Sequence, residues 1–219
     1  MPKPLEKLLT GRDLFLKKYH GVEFYDYQKH FSDALIKAVV LNEGIEIAAI
    51  FSRQSGKTTT IVHTVEYLIY IYKMVLNRGI RIGIFAPQKE QAKTDFDRLK
   101  DAFEILRVAG KPISLKEANA TTLKPETPLN ENYKGAVLSI DQNNEIYAYP
   151  LSKTSHPESK TLDLIIIEEA QDVDDHRMIN SVFPMGAATN ATRVFIGTAG
   201  YNICYFYRKL QKQQELEET

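Results

Sequence analysis

The chain has 219 residues, with 28 Lys+Arg balancing 28 Asp+Glu, 43% apolar residues and 26% charged ones. A formal charge of zero excludes a surface that is polybasic throughout, though not a local basic patch, and the composition excludes wholesale disorder. At roughly 150 residues per domain, one large domain or two small ones fit.

The single cysteine, Cys204, has no partner for an intramolecular disulfide, which suits a reducing compartment. The most apolar stretch, Tyr67 to Leu76, contains Lys73 and falls short of the ~20 residues a spanning helix needs. The N-terminus has no secretory apolar run. These features predict a soluble, intracellular protein.

Residues 1–24 are mixed and read as an N-terminal extension. From Tyr27 an apolar stripe through Phe31, Ala34, Leu35, Ala38 and Val39 predicts a helix, stopped by Asn42 and Gly44. IEIAAIF at 45–51 predicts a buried strand, SRQSG a turn, and 57–77 a long helix ended by Gly79. RIGIFAP at 81–87 predicts a second strand. Ala92, Phe96, Leu99, Phe103 and Leu106 line one face of the next helix. AVLSI and EIYAYPLS predict two strands around a DQNN turn, and TSHPES a loop. TLDLIIIEEA at 161–170 and ATRVFIGTAG at 191–200 predict two further strands. Such alternation predicts an α/β fold: a mostly parallel sheet with helices on both faces. Ligands in such sheets sit at the carboxyl ends of the strands. Two polar turns, 52–58 and 168–171, fall there.

SRQSGKTT has the strand–turn–helix setting of a phosphate-binding loop. Backbone N–H groups at a turn and helix start form a positive concavity suited to polyphosphate. Gly56 would let the main chain approach, Lys57 reach the β- and γ-phosphates, and Thr58 ligate Mg²⁺. Phe51 stands where the full motif has its first glycine, so a plain helix start, with Ser55 as cap and Lys57 solvated, also fits. Glu168 and Glu169 end an apolar strand. Glu168 would hold Mg²⁺ directly or through water, and Glu169 would act as general base toward water. Two solvated acids at a strand tip are the alternative.

Together, FSRQSGKTT, LIIIEEAQ, FIGTAG and the upstream DYQKHF resemble the N-terminal ATPase domain of tailed-phage large terminases. The resemblance runs from about residue 25 to 219 and implies a RecA-like P-loop NTPase of the ASCE type, with 25–200 as the ATPase core. It implies ATP and Mg²⁺ as cofactors, with Ser52, Arg53, Gln54, Ser55, Gly56, Lys57, Thr58 and Thr59 around the nucleotide. That family's loop lacks the first glycine and carries an arginine matched by Arg53, placed to stabilise γ-phosphate charge. Tyr27 and Gln28 match its adenine motif, although periodicity makes Tyr27 equally a core residue. Gly197, Thr198 and Ala199 match its coupling motif. Where most members have Asp, this chain has Glu168. Residues 201–219 read as the start of a lid or linker segment, with the family's nuclease part expected to be absent.

The implied partners are double-stranded DNA, a capsid portal protein and a small terminase subunit, with a homo-oligomeric ring while packaging in host cytoplasm and no membrane. Lys160 is a candidate trans-acting cation for a neighbouring subunit. Two other readings stand beside the packaging motor: one half of a superfamily-2 helicase, or a non-catalytic ATP-dependent interaction module. The YLIYIY run at 67–72 reads as core packing. Arg107, Lys111, Lys116 and Lys124 read as a solvated face that could touch DNA. His20, His30, His63, His156 and His176 show no spacing for zinc, and no metal site is assigned to them.

Overall fold

The computed structural model describes residues 3–119, 135–141, 143–151, 160–198 and 204–217. Seven strands form one sheet in the order β1-β7-β6-β2-β5-β4-β3. They are β1 (Glu46–Ile50), β2 (Ile80–Ala86), β3 (Lys116–Asn119), β4 (Ala136–Ser139), β5 (Asn144–Pro150), β6 (Leu164–Glu168) and β7 (Thr192–Gly197). The first five in that order are parallel, while β4 and β3 are antiparallel additions at one margin. The sheet is therefore mostly parallel, as the alternating sequence pattern predicts.

Helices α1 (Lys3–His20), α2 (Asp26–Val40), α3 (Lys57–Ile71) and α4 (Lys89–Val108) pack against one face. Short turns between residues 170 and 189, among them α5 (Asp175–Arg177), pack on the other face with α6 (Tyr205–Glu217). Central strands are buried on both faces, which is why they read as continuous apolar runs. Along β6, Leu164 and Ile166 join the core beneath α1–α4, whereas Ile165 and Ile167 join the opposite core with Phe195 and Phe206.

Two expectations need correction, for β1 and α3, and two elements went unpredicted. β1 is not a buried strand: among the described residues it bonds only β7, it is half-buried over most of its length, and Ile50 is 48% exposed. Its β-branched apolar residues look alike in sequence whether a strand is central or marginal. Within the N-terminal extension, residues 3–20 form a helix that the sequence pattern did not predict. α1 buries Phe15 and Leu16 in the same core, and Arg12 is buried too, paired with Asp13 and with Asp33 of α2. The helix was not legible because its apolar positions are diluted by lysines whose stems lie on its outer face. β3 was not foreseen in KEAN, whose edge pairing comes from β4. Finally, α3 gives way at Tyr72–Leu76 to a π-helical turn closed by left-handed Asn77, ahead of Gly79. Gly79 is needed for close approach, since a Cβ there would meet the Asn143 carbonyl at 2.5 Å.

The YLIYIY run packs as core: Tyr67, Leu68, Ile69, Ile71 and Tyr72 are buried, and the Tyr67 hydroxyl donates to the Leu8 carbonyl of α1 at 2.6 Å. No helix among the described residues is long and apolar enough to cross a membrane. Because Leu16 is fully buried, Leu16→Ala should cost about 2–5 kcal/mol of stability. A chemical-denaturation midpoint unchanged by that substitution would show that α1 is dispensable.

Candidate functional site

The carboxyl ends of β1, β7 and β6 lie side by side. From β1 the chain turns onto the face of α1–α4, and from β6 onto the other face. This divergence opens a crevice of the kind in which α/β proteins bind ligands. A cavity of about 690 Å³ fills it, lined from β1's turn by Ser52, Arg53, Gln54, Gly56, Lys57, Thr58 and Thr59. Glu169, Gln171, Asp172 and Thr198 line it from the β6 and β7 ends, and Arg98 from α4.

The turn is not a helix start capped by a side chain. Gln54 (φ 60°) and Gly56 (φ 77°) both take left-handed backbone, and α3 begins without any side-chain cap. The Ser55 hydroxyl bonds back to the Ser52 carbonyl at 2.7 Å, which tightens the loop. Gly56 is further constrained by Gln28, whose Nε2 would lie 2.7 Å from an added Cβ. Phe51, in the place of the motif's first glycine, is buried against Phe31 of α2 at a ring distance of 5.5 Å. Its N–H donates to the Gly197 carbonyl at 2.9 Å, so the loop's base is welded to both α2 and β7.

Lys57 is not solvated. Its ammonium pairs with Glu169, 112 residues away in sequence, across the cavity. Glu169 takes a left-handed conformation (φ 44°), unusual for a residue with a side chain. That turn lifts its carboxylate off the strand and toward Lys57. The Gln171 Nε2 donates to Glu169 at 2.7 Å. Burial raises the Glu169 pKa, but the Gln171 amide and the Lys57 ammonium outweigh it and hold the carboxyl below its ordinary value.

Glu168 points the other way and is fully buried; its Oε1 has no hydrogen-bond partner. Gln91 of α4 reaches Oε2 at 3.4 Å. Asp95, one turn further along α4, is also buried and leaves Oδ2 unpartnered. Burial first, and then the neighbouring Asp95 carboxylate, push the Glu168 pKa well above the carboxylate range. Burial likewise raises Asp95 against the opposing pull of Arg98 and Lys57. The two unpartnered carboxylate oxygens are hard donors of the kind Mg²⁺ takes. Without a cation the pair opposes folding. Folded-state pKa values above the unfolded ones make stability fall as pH rises out of the ordinary carboxylate range. In chelator, the loss of Tm from pH 5 to pH 8 should therefore shrink in Asp95→Asn.

Asp95, Arg98, Gln91 and Gln171 were not singled out from sequence. Asp95 carried a usable signal: it sits three residues after Ala92 and one before Phe96, inside α4's apolar stripe, where a charge is out of place. Gln171 gave none, being one polar residue among several after the acids. Yet its amide donates to Thr198 Oγ1 at 3.3 Å and accepts from the Thr198 N–H at 3.3 Å. The Tyr207 hydroxyl of α6 in turn donates to the Thr198 carbonyl at 3.0 Å. A Cβ at Gly197 would meet Gln171 Oε1 at 2.2 Å. Ala199 lies outside the described residues.

Tyr27 and Gln28 flank the same loop. Tyr27 is 48% exposed, not core, and its hydroxyl donates to the Ser55 carbonyl at 2.7 Å. The helical period placed it in the stripe, but the first turn of α2 lies at the rim of the core. Gln28 is buried; its Oε1 accepts from the Tyr25 N–H at 2.9 Å, and its Nε2 faces the Ser55 and Gly56 carbonyls at 3.4 and 3.5 Å. Its amide thus braces the cradle from behind. Arg53 is exposed at the cavity, and among the described residues no carboxylate pairs with it. Lys160 precedes the amino end of β6 and does not line the cavity. Of the basic segment, Arg107 pairs with Glu104 and Lys111 lies over the Tyr19 and Tyr70 rings, while Lys124 is outside the described residues.

The sequence matches no protein-family model and no curated protein. Solved structures of similar architecture include phage large terminases and isolated large terminase ATPase domains. The HK97 bacteriophage large terminase aligns with TM-score 0.68 at 17% identity, covering 98% of this chain and 42% of that one. A mutant ATPase domain of the Thermus phage P74-26 large terminase aligns with TM-score 0.58 at 16% identity, covering 90% of this chain and 72% of that one. A large terminase from a thermophilic bacteriophage in complex with ATP-gamma-S aligns with TM-score 0.52 at 13% identity, covering 97% of this chain and 42% of that one. The chain thus spans well under half the length of the two large terminases and most of the isolated ATPase domain. In architecture, the chain has the α/β fold of the ATPase domain of phage large terminases.

Proposed function

We propose that this chain is a magnesium-dependent ATPase and that its hydrolysis powers movement of double-stranded DNA into a viral capsid. One observation carries the ATPase reading: Lys57 of the phosphate cradle and Glu169 of the acidic strand meet across a single cavity. A solvated lysine on one side and two surface acids on another would have excluded it. The similar large terminase solved with ATP-gamma-S supports a nucleotide as the occupant.

The chemistry follows from the residues. Main-chain N–H groups of residues 54–57 and the Lys57 ammonium hold the β- and γ-phosphates. Lys57 can do so only by leaving Glu169, so phosphate binding frees the carboxylate. Glu169, still oriented by Gln171, then accepts a proton from a water whose oxygen attacks the γ-phosphorus. The bond to the β–γ bridging oxygen breaks, giving ADP and phosphate. Thr58, Glu168 and Asp95 would hold Mg²⁺, which neutralises charge on the phosphate oxygens. Arg53 is placed to stabilise charge developing on the γ-phosphate. Tyr27 lines a neighbouring cavity that shares Ser52 with the first, and its ring would be offered to adenine there. Gln28 would meet the base only by giving up a bond to its own loop.

The packaging role rests on fold likeness, and with it go DNA, a portal protein, a small terminase subunit, a ring assembly and action in host cytoplasm. Gly197, Thr198 and Ala199 are then the route from hydrolysis to movement, and Lys160 a cation offered to a neighbour's nucleotide. Phosphate release by the purified chain with Mg²⁺ and ATP tests the catalytic claim. Release abolished by Glu169→Gln supports it, whereas no release from either protein leaves the interaction-module reading. Stimulation by empty capsids bearing their portal separates a packaging motor from a helicase half, which would respond to DNA alone.

A further inference from the structure

Three potential metal ligands converge outside the lining of the nucleotide cavity, where α1 crosses α3. His20 ends α1, while His63 and Glu66 share one face of α3. His20 Nε2 lies 2.9 Å from the Glu66 carboxylate and His63 Nδ1 lies 3.1 Å from it. All three donor atoms fall within 4.8 Å of one another. The two imidazole rings are 4.4 Å apart, centre to centre. Sequence spacing gave no reason to join His20 to His63, because only the helix crossing brings them together.

We propose that His20, His63 and Glu66 bind a zinc-class divalent cation that clamps α1 to α3. The Glu66 side chain is 0% exposed and that of His20 3%, so a carboxylate sits here without water. Among the described residues its only ion-pair partners are the two imidazoles. A buried carboxylate calls for compensating positive charge, from a paired group or from a metal ion. A metal ion would supply it while using the imidazole lone pairs. Bonds of about 2.0–2.2 Å in a tetrahedron place neighbouring ligand atoms about 3.3–3.6 Å apart, so the present 2.9 and 3.1 Å must open slightly and any wider pair, all being within 4.8 Å, must close. Two nitrogens and one carboxylate suit Zn²⁺ rather than Mg²⁺. His63, 12% exposed, leaves the fourth position for water on the solvent side.

The test is titration of the chelator-stripped chain with Zn²⁺ and Co²⁺ in excess Mg²⁺, which occupies oxygen-only sites. One equivalent should bind, Co²⁺ should show the intense visible bands of four-coordinate geometry, and Zn²⁺ should raise Tm. His63→Gln can keep a hydrogen bond to Glu66 and should leave Tm in chelator unchanged while weakening Zn²⁺ at least about tenfold. Absence of a four-coordinate Co²⁺ spectrum would overturn the proposal. So would equal Zn²⁺ affinity in a His20→Gln/His63→Gln protein.

Discussion

Glu169→Gln should bind ATP at least as tightly as the wild type yet release phosphate slower by a factor on the order of 10²–10⁴, the usual yield of a positioned base. The two effects have one cause. In the free protein the Glu169 carboxylate holds the Lys57 ammonium, so ATP must compete with an internal anion for its own lysine. The isosteric amide removes that competitor, and repulsion between carboxylate and γ-phosphate goes with it. It cannot accept a proton from water, however. Gln171 still has an oxygen to donate to, so the turn keeps its shape. Isothermal titration with ATP and single-turnover phosphate release check the two halves separately. A variant that loses binding and turnover together would mean that Glu169 shapes the site rather than acting on water.

Lys57→Ala should lower ATP affinity by about 2–4 kcal/mol, a thirtyfold to thousandfold effect, because it deletes one charge of a part-buried pair and leaves the other facing the phosphates. Fold stability should change little, since Lys57 closes no part of either core. The double variant Lys57→Ala/Glu169→Gln should regain part of the lost affinity by removing the orphaned anion. Strict additivity of the two changes would show that the residues do not communicate, contrary to their pairing. Fluorescent-nucleotide binding, with Tm as a control for folding, reads both.

Much of this was legible in the sequence, and unevenly for physical reasons. Central strands announce themselves because both faces are buried, so β2, β6 and β7 appear as apolar runs. The cradle and the two glutamates were legible because main-chain geometry demands glycine and charge at fixed offsets from strand ends. The partner that completes the acidic side was not, since Asp95 arrives from α4 and adjacency across a helix leaves no spacing in the chain. Gln171 illustrates the same limit, as its importance lies in what its amide touches. Tyr27 failed differently: a helical period says which residues share a face, but not where along that face the core ends.

β1 leads into the 52–58 turn but stands at the margin of the sheet, and among the described residues no strand pairs with its outer edge. Such a margin invites strands from other molecules. Here it is guarded by charge: Glu46 pairs with Arg193 and with Lys209 of α6, and accepts from the Tyr205 hydroxyl at 3.2 Å. α6 also buries its own Phe206 in the core of that face. Cleaving the chain ahead of Cys204 would strip away the guard and that buried ring at once. Poor solubility would then appear before any defect in chemistry, as light scattering that rises with protein concentration.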